Sequence, residues 1–276
     1  MTIMRTPNHH GYSLIELSVT LGFLALLAGS WLTFAASNSD KKNIERTEKK
    51  LDVIEDALHR FVSMYDRLPC PAGLAVINTD ASFGLEDNCA AITPTLAGIT
   101  RVHDGSTQEV WIGTIPTRTL GIKESYMIDG WGRRMTYAIH KRTGTISLGN
   151  PIQTFSTFTA TNAAQRLRVE NIHGHPLHNP TQLTGIQPDP HSTDPILYVL
   201  VSHGHDRRGS YNKTGILMNN CGNATLHRDI ENCDYTIPAT RDSLFLSSAI
   251  MDSRMASQYY YDILRWKIKS QFSDTP

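Results

Sequence analysis

The side chains most able to bind metal or attack an electrophile are twelve histidines and four cysteines. Two histidine groups stand out: His173-x-His175-x-x-His178, and His203-x-His205 followed by Asp206. A metal-dependent hydrolase needs three ligands held around an open coordination position. The first group, however, lies in a Pro- and Asn-rich stretch, with no H-E-x-x-H helix to set ligand geometry. There is no G-x-S-x-G elbow for a serine nucleophile and no Gly-rich loop ending in Lys-Ser or Lys-Thr for a phosphate. Cys70, Cys89, Cys221 and Cys233 fall in two local groups without C-x-x-C spacing, so disulfides are favoured over zinc. Four cysteines allow three connectivities, of which Cys70–Cys89 and Cys221–Cys233 is the simplest. With each thiol given a partner, no catalytic cysteine is expected. The sequence thus reads as a non-enzyme, with a signal-anchored periplasmic metal-dependent enzyme as the alternative.

One further charged residue is set apart by its surroundings. Glu16 stands at the edge of Leu17–Ala36, 20 residues without a formal charge. At about 1.5 Å per residue such a helix reaches about 30 Å, the hydrocarbon thickness of a bilayer. The length predicts a membrane-spanning helix, inside which a carboxylate costs roughly 3 kcal/mol and calls for a partner. The nearest cation in sequence is Arg5, on the far side of Gly11. A general secretory signal cleaved near Ala35-Ala36-Ser37 is the rival reading of the same stretch. Either one carries most of the chain out of the cytoplasm. Charges balance, with 26 Lys plus Arg against 26 Asp plus Glu, so net charge supplies no argument for a nucleic-acid partner.

Gly11-Tyr12-Ser13-Leu14-Ile15-Glu16-Leu17, after a short polar leader and before the apolar helix, closely resembles the class III signal of type IV pilins and type II secretion pseudopilins. The resemblance implies cleavage by a prepilin peptidase between Gly11 and Tyr12, with N-methylation of Tyr12. It also places Glu16 where that family neutralises a neighbouring subunit's amino terminus during assembly. Most members begin with Phe, and Tyr12 departs from that. Asp129-Gly130-Trp131-Gly132-Arg133-Arg134-Met135-Thr136-Tyr137 is similar to a turn of major pseudopilins. Gly130 and Gly132 would allow it to be tight, while Trp131 and Tyr137 would seat it on the helix. Val201–Asp206 with Gly209 resembles the calcium loop of the same proteins, which implies Asp206 as a calcium ligand. The family's later acidic ligand is not evident in Tyr211–Gly215.

The elements follow from periodicity. Residues 1–11 form the leader and 12–36 the transmembrane or filament-core helix. Residues 37–66 continue it as an amphipathic helix with a stripe of Ile44, Leu51, Ile54, Leu58, Phe61 and Tyr65. Pro69 and Pro71 stop it, and residues 67–276 form a β-rich globular domain. Strands are expected over Glu109–Pro116, Met135–His140, Thr145–Leu148, Ile196–Ser202, Ile216–Met218 and Tyr259–Ile268. Residues 72–108 and 150–194 read as irregular. Tyr259-Tyr260-Tyr261 and Trp266, near Arg254, Arg265, Lys267 and Lys269, could be an exposed recognition surface, though alternating strand burial explains them as well.

The expected fold class is therefore α+β, a long N-terminal membrane-spanning helix packed on a small antiparallel sheet with large loops, as in pilins. The expected localisation is the inner membrane, single pass, with the globular domain in the periplasm. The implied function is that of a structural minor pilin or pseudopilin in a type IV pilus-like or type II secretion filament. Its partners would be other subunits through the N-terminal helix, the prepilin peptidase and the inner-membrane assembly platform. No cofactor is expected apart from calcium at Asp206. An adhesin or DNA-binding pilus tip is a further alternative.

Overall fold

The computed structural model describes residues 14–91, 93–102, 110–140, 167–175, 177, 196–219, 221, 228–237, 242–249, 251–252, 259–268 and 271; side chains at 28–38, 251–252 and 259 are not included. Residues divide into two compact units, 1–42 and 43–276. One helix, α1, runs over Leu14–Tyr65.

The expected fold class and localisation both require a membrane-spanning segment, and both are corrected. Among the described residues no helix is long and apolar enough to cross a membrane. Ser18, Thr20 and Gly22 dilute the apolar content of the first turns of α1, the two hydroxyls donating to carbonyls one turn back. A single-pass inner-membrane placement loses its structural basis with the span.

The second unit is organised by a sheet with strand order β1-β2-β4-β6-β11, antiparallel throughout. Its strands are β1 (Thr100–Val102), β2 (Val110–Thr114), β4 (Thr136–His140), β6 (Ile196–Ser202) and β11 (Ile263–Ile268). Two-residue periodicity divides its side chains between two faces. Tyr137 and Ile139 of β4, opposite Leu200 and Tyr198 of β6, join Leu51, Ile54 and Leu58 of α1 in one core cluster. Ala138 and Val199 face the other way, into a cluster with Val169, Tyr235 and Phe245. Both faces are covered, which is why β6 reads as an unbroken apolar run instead of an alternating one.

Pairs of short strands complete the unit: β3 (Arg133–Arg134) with β7 (Tyr211–Asn212), β5 (Arg168–Glu170) with β8 (Leu244–Leu246), and β9 (Met251–Asp252) with β10 (Tyr259–Tyr260). β1 and β5 fall in segments expected to be irregular. Three-residue strands carry no readable period; β1 is defined by its pairing with the neighbouring β2, and β5 by pairing with chain about 76 residues on. Ile216–Met218 forms one isolated bridge, Leu217 to Tyr211, instead of the expected strand, because Asn212 Oδ1 collects the amides of Thr214 and Ile216 into a turn. The expected strand Thr145–Leu148 lies outside the described residues.

The C-terminal end of α1 has identifiable causes. Asp66 turns left-handed at φ 49°, and the following Leu68-Pro69 cannot continue the helix. Arg67 then makes a bidentate pair with Glu86, both contacts 2.7 Å, and Glu86 also accepts the amide of Cys70 at 2.8 Å. Of the predicted stripe, Leu51, Ile54, Leu58 and Phe61 are buried, whereas Tyr65 is 58% exposed. It lies past the last turn that the sheet covers.

Candidate functional site

Both disulfides are present, Cys70–Cys89 and Cys221–Cys233, with Cα separations of 5.9 and 5.5 Å. They fit an oxidising compartment. Each closes a local loop, for about 3 kcal/mol on the chain-entropy model. Within the first loop Asp87 is buried and accepts the amides of Thr95 and Leu96, giving order to a stretch with no regular period.

Gly11 and Tyr12 lie outside the described residues. Glu16 occupies the first turn of α1 and is exposed, where the helix dipole favours an acidic group.

The two segments singled out in the sequence, Asp129–Tyr137 and Val201–Gly209, are brought together by hydrogen bonds. Asp129 accepts the amides of Trp131 (2.9 Å) and Arg133 (2.8 Å) through Oδ1 and the hydroxyl of Ser202 (2.8 Å) through Oδ2. Burial raises its pKa, against the opposing pull of those donors and of the Arg133 guanidinium. Arg133 donates in turn to the carbonyls of Gly204 and His205. On the helix side the amide of Gly130 donates to Thr47 Oγ1 at 2.9 Å, and Lys50 Nζ donates to the Ile128 carbonyl. A Cβ at Gly130 would sit 2.1 Å from the Asn43 carbonyl oxygen, so only glycine permits this approach. Trp131 packs partly buried against the core, and Tyr137 is fully buried with its hydroxyl donating to the Pro69 carbonyl.

Among the described residues the histidines do not converge. His173 and His175 are exposed on a turn whose amides are both held by Asn171 Oδ1; His178 lies outside the described residues. His205 is exposed against Tyr261. His203 is completely buried. Its Nε2 lies 2.9 Å from Thr136 Oγ1, which also contacts the Tyr235 hydroxyl at 3.0 Å. Its Nδ1 is 3.8 Å from the Asp262 carboxylate. An Asp–His–Thr sequence of contacts resembles a nucleophile relay, but every member is buried beyond reach of a substrate. Burial, then the nearby Arg133 charge, lowers the His203 pKa to about 3. The Asp262 carboxylate would favour imidazolium, yet at 3.8 Å it does not offset the loss of water, so the ring is neutral.

Asp206 accepts the amide of Arg208 and pairs with that residue's Nε at 3.1 Å. The carboxylates with metal-ligand spacing among the described residues are elsewhere. Glu231 and Asp234, on the 3-10 segment Arg228–Thr236, and Asp242 have ligand oxygens within 4.8 Å of one another. Sequence reading missed this group because Asp242 follows Asp234 only after an intervening stretch of chain and the three residues match no motif spacing. Burial first, and then the charges of Asp242 and Glu231, raise Asp234 to about 8. The sign is clear. The folded form keeps a proton that the unfolded chain gives up near pH 3.8, so this contribution to stability is full below that value and is lost as pH rises through about 8. Asp234→Asn, which removes the charge and keeps the shape, should therefore raise the melting temperature at pH 8.5 and change it little at pH 4. Equal effects at the two pH values, read by thermal melts, would count against the proton.

No family model matches the chain, and neither a curated protein nor a solved structure matches it.

Proposed function

We propose that this chain is a structural subunit of a pilin- or pseudopilin-type filament, processed between Gly11 and Tyr12 by a prepilin peptidase. The observation that carries the reading is the contrast between the two parts of α1. Leu14, Ile15, Phe23, Leu24 and Leu26 are 61–86% exposed, whereas Leu51, Ile54 and Leu58 are buried under the sheet. An exposed apolar patch of this kind marks an interaction surface, and copies of the same helix would cover it. Glu16, exposed in the first turn, would meet a neighbour's amino terminus, a charge pair that gains strength away from water. The Asp129–Gly132 turn, fastened to α1 through Thr47 and Lys50 and to β6 through Ser202, gives the helix a rigid attachment to its sheet.

Mass spectrometry of the N-terminal peptide tests processing: a methylated peptide beginning at Tyr12 is expected. An intact Met1, or a peptide beginning near Ser37, would end the filament reading. Glu16→Ala should leave cleavage intact and abolish incorporation into sheared filaments. Normal incorporation of that variant would remove the register role of the carboxylate.

A further inference from the structure

We propose that the cleft between α1 and the Asp129–Gly132 turn is a binding site for a small organic anion, a phosphate monoester carried on an aromatic body. The cleft has a volume of about 410 Å³, within the range of small-ligand sites. Its charged lining is Arg46, Lys50, Lys213, Glu124 and Asp129. Asp129 is spent internally, its two oxygens taken by Trp131, Arg133 and Ser202, and it is 3% exposed. Three cations therefore face Glu124 as the one carboxylate open to the cleft. Among the described residues neither Arg46 nor Lys213 makes an ion pair.

Arg46 and Lys50 are one helical turn apart on α1, so both point to the same side. Lys213 reaches the cleft from the Tyr211–Gly215 turn across from them. Like charges gathered at one opening repel each other, and a dianion among them relieves that repulsion. Lys50 is the most telling of the three: burial and the neighbouring Lys213 and Arg46 charges lower its pKa, while Asp129 opposes them. An added anion would restore its ordinary affinity for the proton.

The apolar part of the lining defines the body of the ligand. Phe83 and Ile128 lie beside the cations, and Phe83 is held in place by the Arg134 guanidinium, 4.9 Å above its ring. A second cleft of about 380 Å³ adjoins the first, sharing Gly132 and Lys213. It adds Arg207, which is held left-handed at φ 72° although it is not glycine. Backbone of that kind collects at functional sites. This binding role is independent of N-terminal processing, and either can fail alone.

Calorimetric titration of the full chain with phenyl phosphate, inorganic phosphate and phenol tests the site. Phenyl phosphate should bind more tightly than either fragment, and added salt should weaken it. Lys213→Ala and Arg46→Ala should each weaken it about tenfold or more. Both side chains are exposed, so melting temperatures should stay unchanged and separate lost binding from lost fold. Binding unaltered in the double variant, no binding of phenyl phosphate at millimolar concentration, or equal affinity for inorganic phosphate would each overturn the proposal.

Discussion

Asp129→Ala is expected to destabilise the globular unit by about 3–5 kcal/mol, near the top of what single substitutions do. One carboxylate holds the amides of Trp131 and Arg133 and the hydroxyl of Ser202, and it is 3% exposed. Its removal leaves two buried donors and one partly buried donor without their acceptor, and it deprives the buried Arg133 of a neighbouring negative charge. The effect should reach beyond the turn. Gly130 and Lys50 make the contacts to α1, so amide exchange around Asn43–Lys50 should speed up together with exchange in the turn. Asp129→Asn keeps an acceptor oxygen and should cost less than the alanine variant. Chemical denaturation decides it: a midpoint shift below about 1 kcal/mol equivalent for Asp129→Ala would mean that water or relaxation satisfies those donors.

Acid should produce the second large effect. His203 is neutral in the folded state with a pKa near 3, against about 6.5 when unfolded. Above pH 6.5 neither form carries the proton, and the full stability is present. Below that value the unfolded chain takes up a proton that the folded chain refuses, so stability falls steadily and levels off near pH 3. Three and a half pH units at about 1.36 kcal/mol each amount to roughly 5 kcal/mol, a large share of a domain's stability. The groups around the ring are Thr136, Tyr235, Asp262 and Arg133. Approach of Asp262 on protonation would reduce the loss. His203→Asn removes the titration, and its stability should vary less with pH between 6.5 and 3.5 than that of the parent chain. Parallel pH profiles for the two, measured by urea denaturation, would show that the acid sensitivity arises elsewhere. Asp234 acts in the opposite direction, losing its contribution as pH rises from 3.8 to about 8; the two ranges overlap up to pH 6.5, where the opposing slopes cancel, so together the groups favour a plateau of stability there.

What local chemistry dictates was readable in the chain. Pro69 and Pro71 end α1 because proline lacks the amide and crowds the residue before it. Leu51, Ile54, Leu58 and Phe61 share a face by helical period and are buried together. The cysteines pair locally across 19 and 12 residues. Ile196–Ser202 is a strand because its β-branched, apolar residues suit a sheet covered on both faces. Gly130 and Gly132 mark a tight turn, since a Cβ at Gly130 would collide with the Asn43 carbonyl and Gly132 turns left-handed at φ 84°. The uncharged length of Leu17–Ala36 was equally readable, but among the described residues no helix is long and apolar enough to cross a membrane.

What depends on distant chain was not readable. No spacing rule joins Asp129 to Ser202, Arg133 to the carbonyl of Gly204, or Arg67 to Glu86. His203 looked like an accessible ligand beside His205 and Asp206, yet it sits just past the end of β6, inward under Tyr235, and the left-handed turn at Gly204 (φ 45°) leaves His205 outside. Glu231, Asp234 and Asp242 become neighbours only because the 3-10 segment and the residues before β8 fold against each other. Arg46, Lys50 and Lys213 are unremarkable surface charges in one dimension, and they share a cleft because the turn at 211–215 is carried to the side of α1. Short-range steric and hydrogen-bonding preferences are written residue by residue, so the sequence by itself determined where α1 stops, which stripe it buries and where a tight turn falls, while the choice among three disulfide connectivities fell to the fold. Charge neighbourhoods fall off with distance in space and not along the chain, and for that reason the tertiary structure alone decided the buried polar network and the cationic cleft.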